Sequence, residues 1–435
     1  METSPACKTS LQHQAYTMHF STATLALFAA SAAAKTCINQ TVPVTISART
    51  GIFSLDIPQT NLEVTDFILN MTQQGRNFTN TALTGYNTTA GTYNISTEFC
   101  IPSQDNSTNP TVQVLIHGIG FDKTYWDLSF NDYNYSYIDV ATDTYKYCTL
   151  SFDRLGIGNS SHGEPLNEIQ SFLEVAATVQ LTQMLRNGTF PGVNNTFSKV
   201  VHVGHSFGSA QTYSLANMYP DLTDGIVLTG FSMNGSFPPF FLAGGNFVLA
   251  SKNQPLRFSS YTGAQVQELL QMYAEPLLDY ITPLGADLAS VPPPQDLPNG
   301  YIINSDAEAN KYLFFKTGYY DPAILTLAEN TKQPVTLGEI LTLGSLSAMN
   351  AYTGPVMVIT GSSDLPYCGG DCLNTGGAAA SIPAQVRMNF PNVNAENFTA
   401  YIQPNTGHGI NAHYNATGAY AAINDFLASK GLQSS

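Results

Sequence analysis

Six apolar runs, most of them ended by a glycine-marked turn, constrain this chain more than any other feature. They are TVQVLIH (111–117), YCTLSFDRLGIG (147–158), SKVVHVGHS (198–206), DGIVLTG (224–230), GPVMVITGSSD (354–364) and ENFTAYIQPNTGH (396–408). A strand that stays apolar at successive positions is buried on both faces, as in a parallel sheet covered by helices. Helical patterns fall between the runs. LNEIQSFLEVAATVQLTQMLRNG (166–188) places apolar residues at three- and four-residue steps and ends in Asn-Gly. GSAQTYSLANMYP (208–220) stops at a proline, and TGAYAAINDFLASKG (417–431) closes the chain. Strands alternating with helices predict an α/β fold with helices on both faces of the sheet.

The rhythm breaks between residues 231 and 350. This segment opens with FSMNGSFPPFFLAGGNFVLAS, continues into a helix-like GAQVQELLQMYAEPLLDYI (263–281), and then meets VPPPQDLPNG. It reads as a mainly helical cap inserted over the sheet. Residues 35–110 are rich in Thr and Asn, with short alternating stretches, and read as strands and loops packed on the core. The expected organisation is a signal peptide over 1–34, an N-terminal region over 35–110, and core halves over 111–230 and 351–435, with the cap over 231–350. The signal-peptide reading rests on the apolar stretch Leu25–Ala34 and the small residues Ala32 and Ala34 before Lys35. Met18 is an alternative start. The stretch is too short to span a membrane.

Composition narrows the partners. Of 435 residues only 11% are charged, against ~25% in ordinary soluble proteins. Thirteen Asn-x-Ser/Thr sequons, at Asn39, Asn70, Asn77, Asn87, Asn94, Asn106, Asn134, Asn159, Asn187, Asn194, Asn234, Asn397 and Asn415, offer N-glycans as another source of solubility. The net charge is −15, and the 16 Lys and Arg residues form no cluster, which argues against nucleic acid and anionic membrane surfaces. Cys7 falls in the segment lost on processing. Of the other five cysteines, Cys37 is expected to pair with Cys100 and Cys368 with Cys372, leaving Cys148 buried. No second cysteine pair stands at zinc-finger spacing, so no metal is expected. Oligomeric state is not readable.

The chemistry centres on Gly204-His205-Ser206-Phe207-Gly208. Alone, Gly-x-Ser-x-Gly is a weak signal. Here it follows a strand and opens a helix, the context a nucleophile elbow requires. A sharp turn forces small neighbours on the serine, and the Phe207 N–H at the helix start would face a substrate oxyanion. A serine hydroxyl needs a base. His408 follows the last strand-like run and is preferred to His413. His205 is expected to point away along its strand and to be structural. The acid that orients His408 is expected to be Asp364, ahead of Asp371, Asp306 and Asp321. The loop after the first run supplies Ile119 as second oxyanion donor, with His117 bracing it. Asp153, Arg154, Gly156 and Gly158 read as a structural turn; the dinucleotide fingerprint is incomplete, and no cofactor is expected.

LIHGIG, FDRLGIGNSS, GHSFG, TGSSD and TGHG, in this order, resemble the motif series of the α/β-hydrolase superfamily. More narrowly, the chain is similar to secreted, capped hydrolases common in filamentous fungi. The resemblance implies a mostly parallel eight-stranded sheet, a Ser206–His408–Asp364 triad and acyl-enzyme chemistry without a cofactor. The motifs cover 112–230 and 351–430; the cap and residues 35–110 are poorly covered. An aspartate at the elbow would have pointed to epoxide or haloalkane hydrolysis, and Ser206 argues against both. The expected substrate is a carboxylic ester, thioester or lactone of an apolar small molecule. Phe237, Phe240, Phe241 and Phe247 near the cap opening either greet that substrate or pack the cap. An acyltransferase on the same triad is the alternative. So is a peptidase, which would want an acidic anchor such as Glu268, Glu275 or Asp279. A silent binding protein would have lost a triad residue, and each part has a candidate here.

Overall fold

The computed structural model describes residues 35–103, 107–260 and 295–435. The expected signal peptide, the 263–281 helix, Asn106, Glu268, Glu275 and Asp279 lie outside the described residues. Eight strands form the central sheet: β1 (Thr36–Phe53), β2 (Leu83–Ile101), β3 (Thr111–Ile116), β4 (Cys148–Phe152), β5 (Lys199–His205), β6 (Gly225–Thr229), β7 (Val356–Gly361) and β8 (Phe398–Gln403). Their spatial order is β1-β2-β4-β3-β5-β6-β7-β8. All neighbours from β4 to β8 are parallel, while β1–β2 and β2–β4 are antiparallel. Each of the six apolar runs supplies one parallel strand.

Alternate residues of these strands serve different helices, because side chains along a strand point to opposite faces. Ile226 and Leu228 of β6 pack with Ala210 and Tyr213 of the helix Phe207–Met218. Val227 between them packs with Ala419 and Ile423 of the helix Ala416–Ser429. Val358 and Ile359 of β7 divide in the same way. Both faces are therefore covered, and strands β3, β4 and β6 are buried along their whole length.

Two expectations need correction. Residues 36–101 are not short strands beside the core. They form two strands of 18 and 19 residues that build one edge of the sheet itself. The helices Asn61–Thr72 and Phe78–Ala82 fill the connection between them. The long pairing uses β-branched Thr as freely as Val and Ile, so the polar face disguises the strand. The helix expected from 166 starts at Ser171 and runs to Asn187, with Gly188 in left-handed conformation (φ 67°) closing it. Its first turns are diverted because Gln170 reaches across to Gly51, donating to its carbonyl and accepting from its N–H.

Between β6 and β7 the described chain is a set of short helices with a three-stranded sheet formed by Val248–Leu249, Tyr301–Ile303 and Val335–Thr336. The helix Leu337–Thr342 opens with a capping box in which Thr336 and Glu339 exchange hydrogen bonds. Disulfides join Cys37 to Cys100, directly opposite on β1 and β2, and Cys368 to Cys372. Cys148 is buried outside both. Among the described residues no helix is long and apolar enough to cross a membrane.

Candidate active site

The site begins where β5 turns into its helix. Ser206 stands at φ 56° and ψ −116°, a conformation rare for a residue with a side chain and costing about 1–3 kcal/mol. The turn is held by the Ser206 N–H donating to the Thr229 carbonyl at 2.9 Å. It is also held by the absence of neighbouring side chains. A Cβ on Gly204 would lie 2.3 Å from the Gly208 carbonyl oxygen, and one on Gly208 would lie 2.1 Å from that of Ile116. The two glycines let the elbow lie against itself and against the end of β3.

His408 and Asp364 arrive from the loops after β8 and β7. Asp364 Oδ2 accepts from His408 Nδ1–H at 2.7 Å, and His408 Nε2 accepts from the Ser206 hydroxyl at 2.8 Å. This assignment follows from the carboxylate, which when ionised can only accept. Asp364 is fixed by two more donors, Thr360 Oγ at 2.5 Å and the Tyr367 N–H at 2.9 Å. All three side chains are buried. In this geometry the serine proton can pass to the imidazole while the carboxylate holds the ring and faces the charge that develops.

The competing candidates have other duties. His413 Nε2 accepts from the Lys316 and Gly407 N–H groups at 2.9 and 3.1 Å, and its Nδ1–H donates to the Gly409 carbonyl at 2.9 Å. It ties down the loop that carries His408, and burial lowers its pKa to about 4. Asp371 caps the turn at Leu373, while Asp306 and Asp321 cap cap-segment helices. His205 does not point away from the site. It stacks on Tyr125 with ring centroids 4.4 Å apart and lies 4.9 Å from the His408 ring. Its Nδ1 pairs with Thr229 Oγ at 3.0 Å, and burial holds it well below the usual imidazole range. It is a neutral wall beside His408.

The loop after β3 crosses directly over the elbow. A Cβ on Gly118 would meet Ser206 Cβ at 2.8 Å. His117 braces this loop, donating from Nδ1 to the Gly118 carbonyl at 2.9 Å and accepting at Nε2 from the Arg154 N–H at 3.1 Å. Ile119 lines the same cavity as Ser206. Phe207 is the first residue of its helix, so its N–H has no partner within the helix. Its ring lies under the Arg154 guanidinium at 4.8 Å.

Asp153 and Arg154 form the structural turn expected of them. Asp153 accepts from the Lys123 and Asn159 N–H groups, both at 3.0 Å. Arg154, fully buried, donates to Glu174 at 2.5 Å and to Glu339 at 2.6 Å. Glu174 belongs to the helix after β4, and Glu339 to the last cap helix. One guanidinium thus ties the helix after β4 to the helix Leu337–Thr342. Burial pushes the Glu174 carboxyl up, and the adjacent Arg154 charge opposes this.

Sequence reasoning missed two aromatic residues. Phe314 from the cap stacks on His408 at 6.0 Å and 17°, and Tyr367 from the acid loop lies 5.6 Å from the same ring. Neither carries a periodic or motif signal. Of the four phenylalanines expected near the opening, Phe241 lines the Ser206 cavity; Phe247 is buried against Phe241, Phe237 stacks on Phe240, and Phe240 is half exposed. That cavity has ≈ 20 Å³ of space, room for about one water. A larger cavity of ≈ 600 Å³ lies between β1 and the two helices after β4 and β5, lined by none of the triad candidates.

Residues 113–423 match the alpha/beta hydrolase family. No curated protein matches the sequence. Similar solved structures include a thermophilic esterase from Thermogutta terrifontis (14% identity, TM-score 0.42, covering 78% of this chain and 94% of that one). A monoacylglycerol lipase from Paleococcus ferrophilus is similar at 14% identity and TM-score 0.41, covering 74% and 96%. An alpha/beta hydrolase fold protein from Chitinophaga pinensis is similar at 14% identity and TM-score 0.41, covering 78% and 94%.

Proposed function

This chain belongs to the alpha/beta hydrolase family, and from that premise we propose that it is a secreted serine hydrolase acting through an acyl-enzyme on Ser206. The substrate is a carboxylic ester, thioester or lactone of an apolar small molecule. His408 takes the Ser206 proton as Oγ attacks the carbonyl carbon, and Asp364 stabilises the imidazolium. The N–H groups of Phe207 and Ile119 receive the oxyanion. His408 then protonates the leaving group, and a water activated by the same imidazole cleaves the acyl-enzyme.

The observation that carries this reading is the continuous Asp364–His408–Ser206 chain of 2.7 and 2.8 Å contacts, meeting at a serine on a strained elbow. The apolar preference is supported by the cavity wall, where Ile119, Phe241, Leu242, Ile340 and Leu343 surround Ser206. An acyl chain would have to displace part of this wall to enter. Secretion is supported by the two disulfides and by the sequons. Of the twelve described acceptor asparagines, ten are exposed and none is buried. The inserted segment 231–350 serves as the cap that supplies Phe241, Leu242, Ile340 and Leu343 of this wall.

Turnover of a p-nitrophenyl ester series, with a competing primary alcohol present, tests the reaction class. Hydrolysis at all alcohol concentrations is expected. Exclusive formation of the transferred ester would replace hydrolase by acyltransferase. Turnover that survives in Ser206→Ala would reject the nucleophile.

A further inference from the structure

Among the residues lining the cavity beside Ser206, Tyr367 is the sole other bearer of a side-chain polar atom. The rest of the lining is aliphatic, proline or phenylalanine. The phenol is held from several directions. The Tyr367 N–H donates to Asp364 Oδ1, so the carboxylate that orients His408 also orients this residue. Its carbonyl accepts from Ser232 Oγ at 2.7 Å, and its ring packs 5.6 Å from Phe231 and 5.6 Å from His408. The next residue, Cys368, enters the disulfide to Cys372.

The hydrogen-bond inventory at Ser206 leaves room for this donor. Ser206 spends its proton on His408 Nε2, and its Oγ lone pairs remain open to a donor. We propose that Tyr367 is a further catalytic residue, whose O–H donates to the adduct's oxyanion once Ser206 Oγ has bonded the carbonyl carbon. The inference rests on the reading of Ser206 as nucleophile. The phenol keeps its proton throughout. The proton leaving Ser206 goes to His408 and from there to the leaving group, so Tyr367 contributes a hydrogen bond and no transfer. Burial, reinforced by the Asp364 charge, raises its pKa, so it remains a donor across the working range. A bond that strengthens as negative charge develops lowers the barrier rather than the ground state.

The test is Tyr367→Phe in the full chain, assayed on p-nitrophenyl butyrate and on phenyl trifluoromethyl ketone, which forms a tetrahedral adduct with an active serine. The expected result is kcat lowered about 100-fold, KM within twofold, and ketone affinity weakened by a similar factor. A kcat within threefold of the parent, or a loss of kcat with ketone affinity unchanged, overturns the proposal. Ser206→Ala run alongside separates the two readings. If it is silent while Tyr367→Phe is fully active, this inference alone fails; if it turns over, the nucleophile assignment fails. Should Phe perturb folding, a fluorinated, more acidic tyrosine placed at 367 keeps the shape. It should add an alkaline loss of kcat as the phenol ionises, and an alkaline limb identical to the parent's overturns the proposal.

Discussion

The core and the proposed cap contribute to the candidate site in different ways. The core half consists of strand ends. Ser206, Asp364 and His408 leave β5, β7 and β8 in buried loops where an added methyl group would collide with backbone. The cap half consists of side-chain faces. Phe314 leans on His408, Phe241 and Leu242 wall the cavity, and Glu339 reaches down to Arg154. The first arrangement tolerates almost no change because its constraints are steric and backbone-borne. The second fixes surfaces, and surfaces of similar volume can substitute for one another. Chemistry should therefore live in the core and selectivity in the cap.

Four substitutions would break or sharpen that division. Asp364→Asn keeps the shape but removes the charge facing the imidazolium. It should lower kcat by about 10⁴-fold, with thermal unfolding close to the parent. Glu339→Ala leaves the buried Arg154 with one partner and should destabilise the chain by about 3–5 kcal/mol in denaturant unfolding, the largest effect expected from a described cap residue. A cost below 1 kcal/mol would mean that the cap is not pinned through this pair.

Phe241→Leu should change the preferred acyl length, shifting KM about tenfold across an ester series while kcat holds. A change in kcat alone would place Phe241 with the chemistry instead. The smallest effect concerns pH. His413 titrates at about 4 in the folded chain against 6.5 in the unfolded one. The unfolded chain therefore binds the extra proton between these values. The His413 contribution is complete above pH 6.5 and declines as pH falls toward 4, by up to about 1.4 kcal/mol per unit. His413→Gln should flatten that decline in a Tm-against-pH series; an unchanged slope would contradict the role given to His413.

What was legible in the sequence follows the same division. The six parallel strands could be read because a buried strand is continuously apolar, and Ser206, His408 and Asp364 stood out as candidates because each follows the end of such a strand. The β1–β2 edge was obscured by its own exposed face, where Thr and Asn alternate with Val and Ile. The Arg154–Glu339 contact spans 185 residues, and no local pattern announces a partner at that distance. Phe314 and Tyr367 reach His408 through the folded placement of short helices, and nothing in their spacing marks them. His205 was misread because strand direction alone does not reveal that the neighbouring loop brings His408 back beside it.

The central claim is that Ser206 is an activated nucleophile. Labelling of the purified chain with a fluorophosphonate, followed by peptide mapping, tests it without knowledge of the substrate. The account requires one adduct, on Ser206, that is lost in His408→Ala although Ser206 is still present. Labelling that persists at full rate in His408→Ala, or an adduct on another residue, would contradict it.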